Sequence, residues 1–154
     1  MSQRPMLHVT IVTAQRTIFE GEAEAVIAPG SEGQLGILPR HAPLLTTLAL
    51  GELRIRERGQ DESIFVAGGF LEVNRNVVTI LADDAERATD IDETHANEAR
   101  RRAQATMEQA ASPDVAAAAA AELERAVGRL RVAELHRQRR GGRRTPTPPQ
   151  ELGG

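Results

Sequence analysis

The sequence predicts an α+β chain: an N-terminal antiparallel β-sandwich or flattened barrel, then a C-terminal αα-hairpin. Two observations carry this. Over residues 7–82 apolar side chains recur with a period near two and turn signals fall between short runs, whereas from about residue 90 they recur every three or four residues. The acidic residues Asp83, Asp84 and Glu86 stand at the change of period.

LHVTIVT alternates Leu7, Val9 and Ile11 against His8, Thr10 and Val12. EAVIA (24–28) reads as a short strand ended by the turn pair Pro29-Gly30. LALGELRIRE is a strand whose phase breaks at Gly51. Leu48 and Leu50 share one parity and Leu53 and Ile55 the other, so a bulge or bend is expected there. SIFVA follows the turn GQDE; FLEV, the turn NRN and VVTILA form a hairpin. Asp90 and Glu93 have capping-box spacing, and Ala96, Ala99, Ala103, Met107 and Ala110 form a helical stripe. Ser112 and Pro113 suit the cap and first position of a second helix over 113–140, roughly 40 Å at ~1.5 Å per residue. Its seam is Ala119, Leu123, Ala126, Leu130 and Ala133, and Gly141-Gly142 end it. The expected division is a β domain at 1–86, a hairpin at 87–140 and a disordered tail at 141–154. Alanine stripes bury little area, at ~25 cal/mol per Å², so the hairpin is expected to be marginal alone and to dock on something.

Composition narrows the function. The 154 residues carry 40% apolar but only 2% aromatic residues, and a net charge of −3. There is no cysteine, which excludes disulfides and thiolate chemistry. All 19 basic residues are arginine, which excludes a Schiff base or a phosphate-loop lysine. No apolar run reaches the ~20 residues of a membrane span, and MSQRPMLHVT lacks a signal-peptide apolar region, so a soluble cytosolic protein is expected, without direct membrane insertion.

Four constellations raise chemistry. His41 lies between Pro39 and Pro43; a hydrolase would need it paired with a nucleophile, but Ser31 has no G-x-S-x-G frame, and the flanking prolines shape backbone. Gly30, Gly33 and Gly36 match no phosphate-loop spacing and read as turn glycines. Asp83, Asp84 and Glu86 can be a cation site or a solvated junction, the second being commoner; His8, His41, His95 and His136 have no metal-ligand spacing. Between residues 123 and 144 eight arginines face only Glu124 and Glu134, a local excess of 8 − 2 = +6. An acidic protein surface suits them better than nucleic acid, because residues 1–86 carry 7 arginines against 12 acids and offer no aromatic stacking platform.

The motifs L-x-V-x-I-V-T, APGSEGQLGILPRHAPLL, GGFLEVNRNVVTILAD-x-AE and RA-x-x-RL-x-VAEL appear in order between residues 7 and 135. In them the sequence resembles the epsilon subunit of F-type ATP synthases. The resemblance implies a subunit with no active site and no cofactor, in which Pro39, His41 and Pro43 form a structural corner. It implies a β domain attached to the gamma subunit of the central stalk, with Ser31, Glu32, Gly33 and Gln34 facing the membrane rotor ring of c subunits. It implies a hairpin that folds onto the β domain or extends into the catalytic alpha/beta hexamer and obstructs ATP hydrolysis, here through Arg131, Arg137, Arg139 and Arg140. Some relatives bind ATP on the hairpin. The matching positions are Glu86, Ile91, Asp92, His95, Ala96, Arg102, Arg125 and Arg129, where His95 replaces an expected arginine and weak or absent ATP binding follows. The implied location is the cytoplasmic face of a bacterial plasma membrane. A freestanding nucleotide-sensing module and a small hydrolase around His41 are the alternative readings.

Overall fold

The computed structural model describes residues 4–141. The strands are β1 (Leu7–Val12), β2 (Thr17–Ala23), β3 (Ala25–Gly30), β4 (Gly33–Ile37), β5 (Leu44–Glu57), β6 (Gln60–Asn74), β7 (Val77–Ala82) and β8 (Ala85–Arg87). A one-turn 3-10 helix (Ala88–Asp90) leads into α1 (Glu93–Glu108) and α2 (Pro113–Gly141). The strand order is β2-β1-β7-β6-β5-β3-β4, with β8 also on β6. All pairs are antiparallel except β1 with β7.

One sheet makes both layers because its two longest strands turn a corner together. The β5–β6 register runs without a slip from Leu44↔Val73 to Glu57↔Gln60. Yet the core-facing parity changes in both strands at one level, from Leu48 to Leu53 and Ile55 in β5, and from Leu71 and Val73 to Ile64 and Val66 in β6. Gly68 and Gly69, with φ of +77° and +123°, permit the turn on β6. The expected irregularity at Gly51 is thus a shared bend, and the pairing shift falls between β5 and β3. The enclosed core contains Leu7, Val9, Ile11, Val26, Ile37, Leu53, Ile55, Ile64, Val66, Leu71 and Ile80, all 1% exposed or less.

Several local readings are corrected. EAVIA does not stop at Pro29-Gly30: β3 continues through both, since a proline needs no ladder donor where its N–H would be unpaired. SIFVA and FLEV belong to one 15-residue strand, and GQDE is not the turn; Arg58 and Gly59, with φ of +51° and +71°, make it. Strands β2 and β4 were not anticipated. Glu20, Gly21 and Glu22 mask the first, and β4 buries only Ile37. Asp90 does not cap α1. It lies in the 3-10 helix, and Asp92 is the cap, accepting from the His95 N–H at 3.1 Å. Met107 is 39% exposed and leaves the α1 seam. The second helix begins as expected at Pro113, with Ser112 Oγ accepting from the Val115 N–H at 3.3 Å. The residues after Gly141, including nearly all of the expected tail, lie outside the described residues.

The hairpin packs on the outer face of the second layer, the one built from residues 50–57 of β5 and 60–67 of β6; residues 44–48 and 69–74 of these strands belong to the first. Ala96 and Ala103 of α1 and Ala119, Ala126 and Ala133 of α2 are buried. A second apolar cluster joins Val132 of α2 to Phe65, Ala67 and Ala88, with Leu50 and Ile91 at its edge. The partner that an alanine-faced hairpin requires is therefore the chain's own β domain.

Candidate functional site

Side chains that face away from the core along β5 and β6 form the hairpin's receptor. Strand alternation puts Glu52 and Arg54 on the face opposite Leu53 and Ile55, and Ser63 and Phe65 opposite Ile64 and Val66. Arg139 of α2 reaches this face. Its Nη1 and Nη2 donate to the two Glu52 carboxylate oxygens, the second at 2.7 Å, and Nη1 also donates to Ser63 Oγ at 3.1 Å. Ser63 is 1% exposed and is the one buried polar residue among those described. This forked, partly desolvated pairing is the strong form of an arginine–carboxylate contact. The Arg139 guanidinium is pushed above its ordinary range by the Glu52 hydrogen bonds, against the opposing effect of burial.

A second ionic contact lies at the domain junction. Arg129 approaches Asp84 at 3.3 Å through Nη2 and Glu86 at 3.3 Å through Nε; the Nε contact is an ion pair that lacks hydrogen-bond alignment. The Arg129 guanidinium also lies 5.8 Å from the Phe65 ring centre. Burial is the main cause raising the Glu86 carboxyl above its ordinary value, and Arg129 opposes it.

Several of the nucleotide-motif residues have structural roles of their own. Ala96 is buried between the helices, Asp92 caps α1, Ile91 packs on the second cluster and the Arg102 carbonyl accepts from Thr106. Arg125 and Arg129 border a cavity of about 180 Å³ shared with Asp84, Ala99, Glu122 and Ala126. Small-molecule sites typically span ~300–1,000 Å³. His95 is exposed near the start of α1.

The corner residues are held by backbone. The His41 N–H donates to the Leu38 carbonyl at 3.2 Å and its Nδ1 to the Ala42 carbonyl at 2.7 Å, while Arg40, at φ +69°, donates to Asn76 Oδ1 at 2.6 Å. Among the described residues His41 has no serine or carboxylate partner, so no nucleophile–base pair exists there. Ser31 and Glu32 form the exposed turn between β3 and β4. The Ser31 N–H donates to the Thr47 carbonyl at 3.1 Å and the two hydroxyls lie 2.6 Å apart. Gly33 and Gln34 begin β4, exposed. Gly33 stands at φ +129° and a Cβ on Gly30 would lie 2.7 Å from its carbonyl oxygen, so both positions require glycine.

The four helix arginines divide. Arg137 pairs with Glu93 and Glu134, and Arg139 with Glu52. Arg131 and Arg140 are exposed and make no ion pair among the described residues. The acids opposing the arginine-rich helix thus come largely from other elements. Strand parity makes Glu52 and Arg54 same-face neighbours, but no sequence period points to Arg139.

A further surface stands on the opposite side of the sandwich. Leu45, Phe70 and Leu81 are 69%, 53% and 54% exposed. Phe70 lies directly across from Leu81 on one side and Thr47 on the other, which joins them into one patch. The available signal was apolar residues on both parities of β6 and β7. Among the described residues no cluster of His, Asp or Glu can hold a metal ion, and no helix is long and apolar enough to cross a membrane.

The comparisons with known proteins agree with this layout. Residues 6–88 match the family model of the ATP synthase delta/epsilon chain β-sandwich domain, and residues 89–134 match that of its long α-helix domain. The chain is 48% identical over 133 residues to the ATP synthase epsilon chain of Dehalococcoides mccartyi, covering 86% of this chain and 95% of that one. It is 48% identical over 132 residues to that of Acidithiobacillus ferridurans, covering 86% and 94%. Its fold resembles a chain in the Euglena gracilis mitochondrial ATP synthase structure (OSCP/F1/c-ring), with a TM-score of 0.68 at 24% identity over 80% of this chain and 79% of that chain. A β-sandwich with a docked helical hairpin, both domains matched by the family models, and 48% identity over 86% of the chain to an epsilon chain place the protein in one group: the chain belongs to the epsilon chain family of F-type ATP synthases.

Proposed function

We propose that the chain is a non-catalytic subunit of the central stalk that couples the catalytic head to the membrane rotor, and that its β domain binds the gamma subunit through the Leu45–Phe70–Leu81 patch. The observation that carries this is the position of the patch. Contiguous exposed apolar surface of this kind marks an interface. Here it lies on the first layer, while the hairpin covers the second, so attachment to the stalk persists whether or not the hairpin is docked. The exposed turn at Ser31, Glu32, Gly33 and Gln34 is the surface for the rotor ring. The hairpin is the regulatory element, with the alpha/beta hexamer as its second receptor. On this reading the chain sits peripherally, at the cytoplasmic face of a bacterial membrane. The small, acid-lined cavity beside Arg125 and Arg129 supports weak or absent ATP binding over a freestanding nucleotide sensor.

The test is capture of the gamma subunit by the full-length chain. Phe70→Asp and Leu81→Asp should each weaken capture at least tenfold while the isolated chain keeps its melting temperature. Undiminished capture by both variants overturns the assignment of this face.

A further inference from the structure

A cavity of about 530 Å³ lies where α2 crosses the sandwich, separate from the nucleotide-motif positions. Its floor is Leu50 and Gly51 of β5, and its wall is Val127, Val132 and Leu135 of α2. The volume falls within the ~300–1,000 Å³ of small-molecule sites. Both domains line it, so the cavity exists only while the hairpin is docked.

The ionisable groups around it are unequal. Glu52 and Arg139 satisfy each other, and Arg54 is held by Asp61 at 3.4 Å and Glu52 at 3.7 Å. Arg131 lines the same cavity, and its side chain makes no ion pair or hydrogen bond among the described residues. Glu124, also unpaired, stands two helical turns away, roughly 10 Å along α2, so it does not neutralise Arg131. The cavity thus offers an apolar floor and wall with one uncommitted cation at its rim.

We propose that this cavity binds a small amphipathic anion, an aliphatic or aromatic body with one carboxylate or comparable head, the body lying on Leu50, Val127 and Leu135 and the head on Arg131. Such a ligand binds only the docked chain and therefore holds the hairpin down. At 100 times its Kd it favours the docked state about 100-fold. The consequence for ATP hydrolysis rests on the regulatory role proposed above. Binding itself is read on the isolated chain, so the two fail separately.

The test is calorimetric titration of the full-length chain with sodium octanoate, with octylammonium chloride and with phosphatidylglycerol vesicles, alongside hydrogen exchange of residues 124–139. Saturable octanoate binding is expected, with slowed exchange in that segment, octylammonium at least tenfold weaker and no vesicle binding. Arg131→Ala should weaken octanoate roughly three- to fivefold, as an exposed ion pair allows. Val127→Trp, which fills the mouth, and Val127→Glu, which places a negative charge there, should both remove binding. Glu72→Gln, an exposed position that does not line the cavity, should leave it unchanged. No saturable binding, equal binding of the cation, binding of vesicles alone, or loss with Glu72→Gln but not with either Val127 variant overturns the proposal.

Discussion

Gly128 lets α2 lie tightly against the β domain. A Cβ there would lie 2.6 Å from Leu50 Cδ2 and 2.9 Å from Phe65 Cε2. In a solvated helix, glycine costs about 1 kcal/mol relative to alanine. Here that cost is offset by the contact it permits. Gly128→Leu should overpack the seam by about 1–3 kcal/mol and undock the hairpin. Limited proteolysis should then cut α2 while the β domain survives, and unchanged resistance of α2 refutes this role. His95 poses a second residue-scale question. It is shorter than arginine and cannot make a bidentate phosphate contact. One charge-assisted hydrogen bond is worth ~1.5–3 kcal/mol, or roughly 10- to 100-fold in affinity. His95→Arg should tighten ATP binding by calorimetry. Adding Asp84→Ala should tighten it further, because Asp84 holds Arg129 at 3.3 Å. Micromolar affinity in the unmodified chain with no gain in either variant contradicts this.

At the scale of elements, α2 is held by chemistry that depends on pH. His136 sits near its C-terminal end and lines a polar cavity with Glu57, Asp61, Glu62, Ser63, Arg87 and Arg140. Burial, then the neighbouring Arg140, pushes the His136 imidazole below its ordinary pKa, with Glu52 and Glu62 opposing and Arg139 adding to the push. When α2 undocks, His136 regains a value near ~6.5 and takes up a proton first as pH falls. The undocked state then binds more protons, so docking is at full strength above about pH 6.5 and weakens as pH drops through that value. Protection factors of α2 amides, which normalise for the intrinsic pH dependence of exchange, should fall between pH 7 and pH 5.5. His136→Asn, neutral throughout, should flatten that change; an identical pH profile in the variant rules His136 out as its source.

For the whole molecule, the proposed regulatory role gives the same arginines a second receptor. In the docked state Arg139 is held by Glu52 and Arg137 by Glu93. On the regulatory reading, these contacts must break before α2 can enter the catalytic head. Two changes therefore act in opposite directions in a reconstituted complex. Truncation after Arg87 removes the hairpin and should raise ATP hydrolysis severalfold, with assembly intact, because the patch and the β3–β4 turn belong to the β domain. Glu52→Gln leaves the hairpin but deletes its strongest anchor, and should lower hydrolysis by favouring the extended state. The difference from the unmodified complex should shrink at high salt, where the Debye length falls to ~3 Å at 1 M. Unchanged hydrolysis in both variants removes the regulatory role and leaves the stalk role standing.

Local chemistry was legible where it acts over a few residues. Alternation marked β1 and β7, Ser112-Pro113 marked the start of α2, and the alanine seam marked which helix faces meet, because each depends on backbone geometry that repeats within one element. Order of the motifs along the chain was enough to indicate the family. Other features depended on chain closure. The phase break at Gly51 did not reveal that Gly68 and Gly69, on the partner strand, make the bend with it. The +6 arginine segment did not reveal Glu52, 87 residues from Arg139, as a receptor. A side chain's period states which neighbours share its face, but not which distant face will lie opposite. Only the packing of α2 on the second layer decided that, and with it the part-buried Arg139–Glu52 pair, the cavity under Arg131 and the apolar patch left open on the other side.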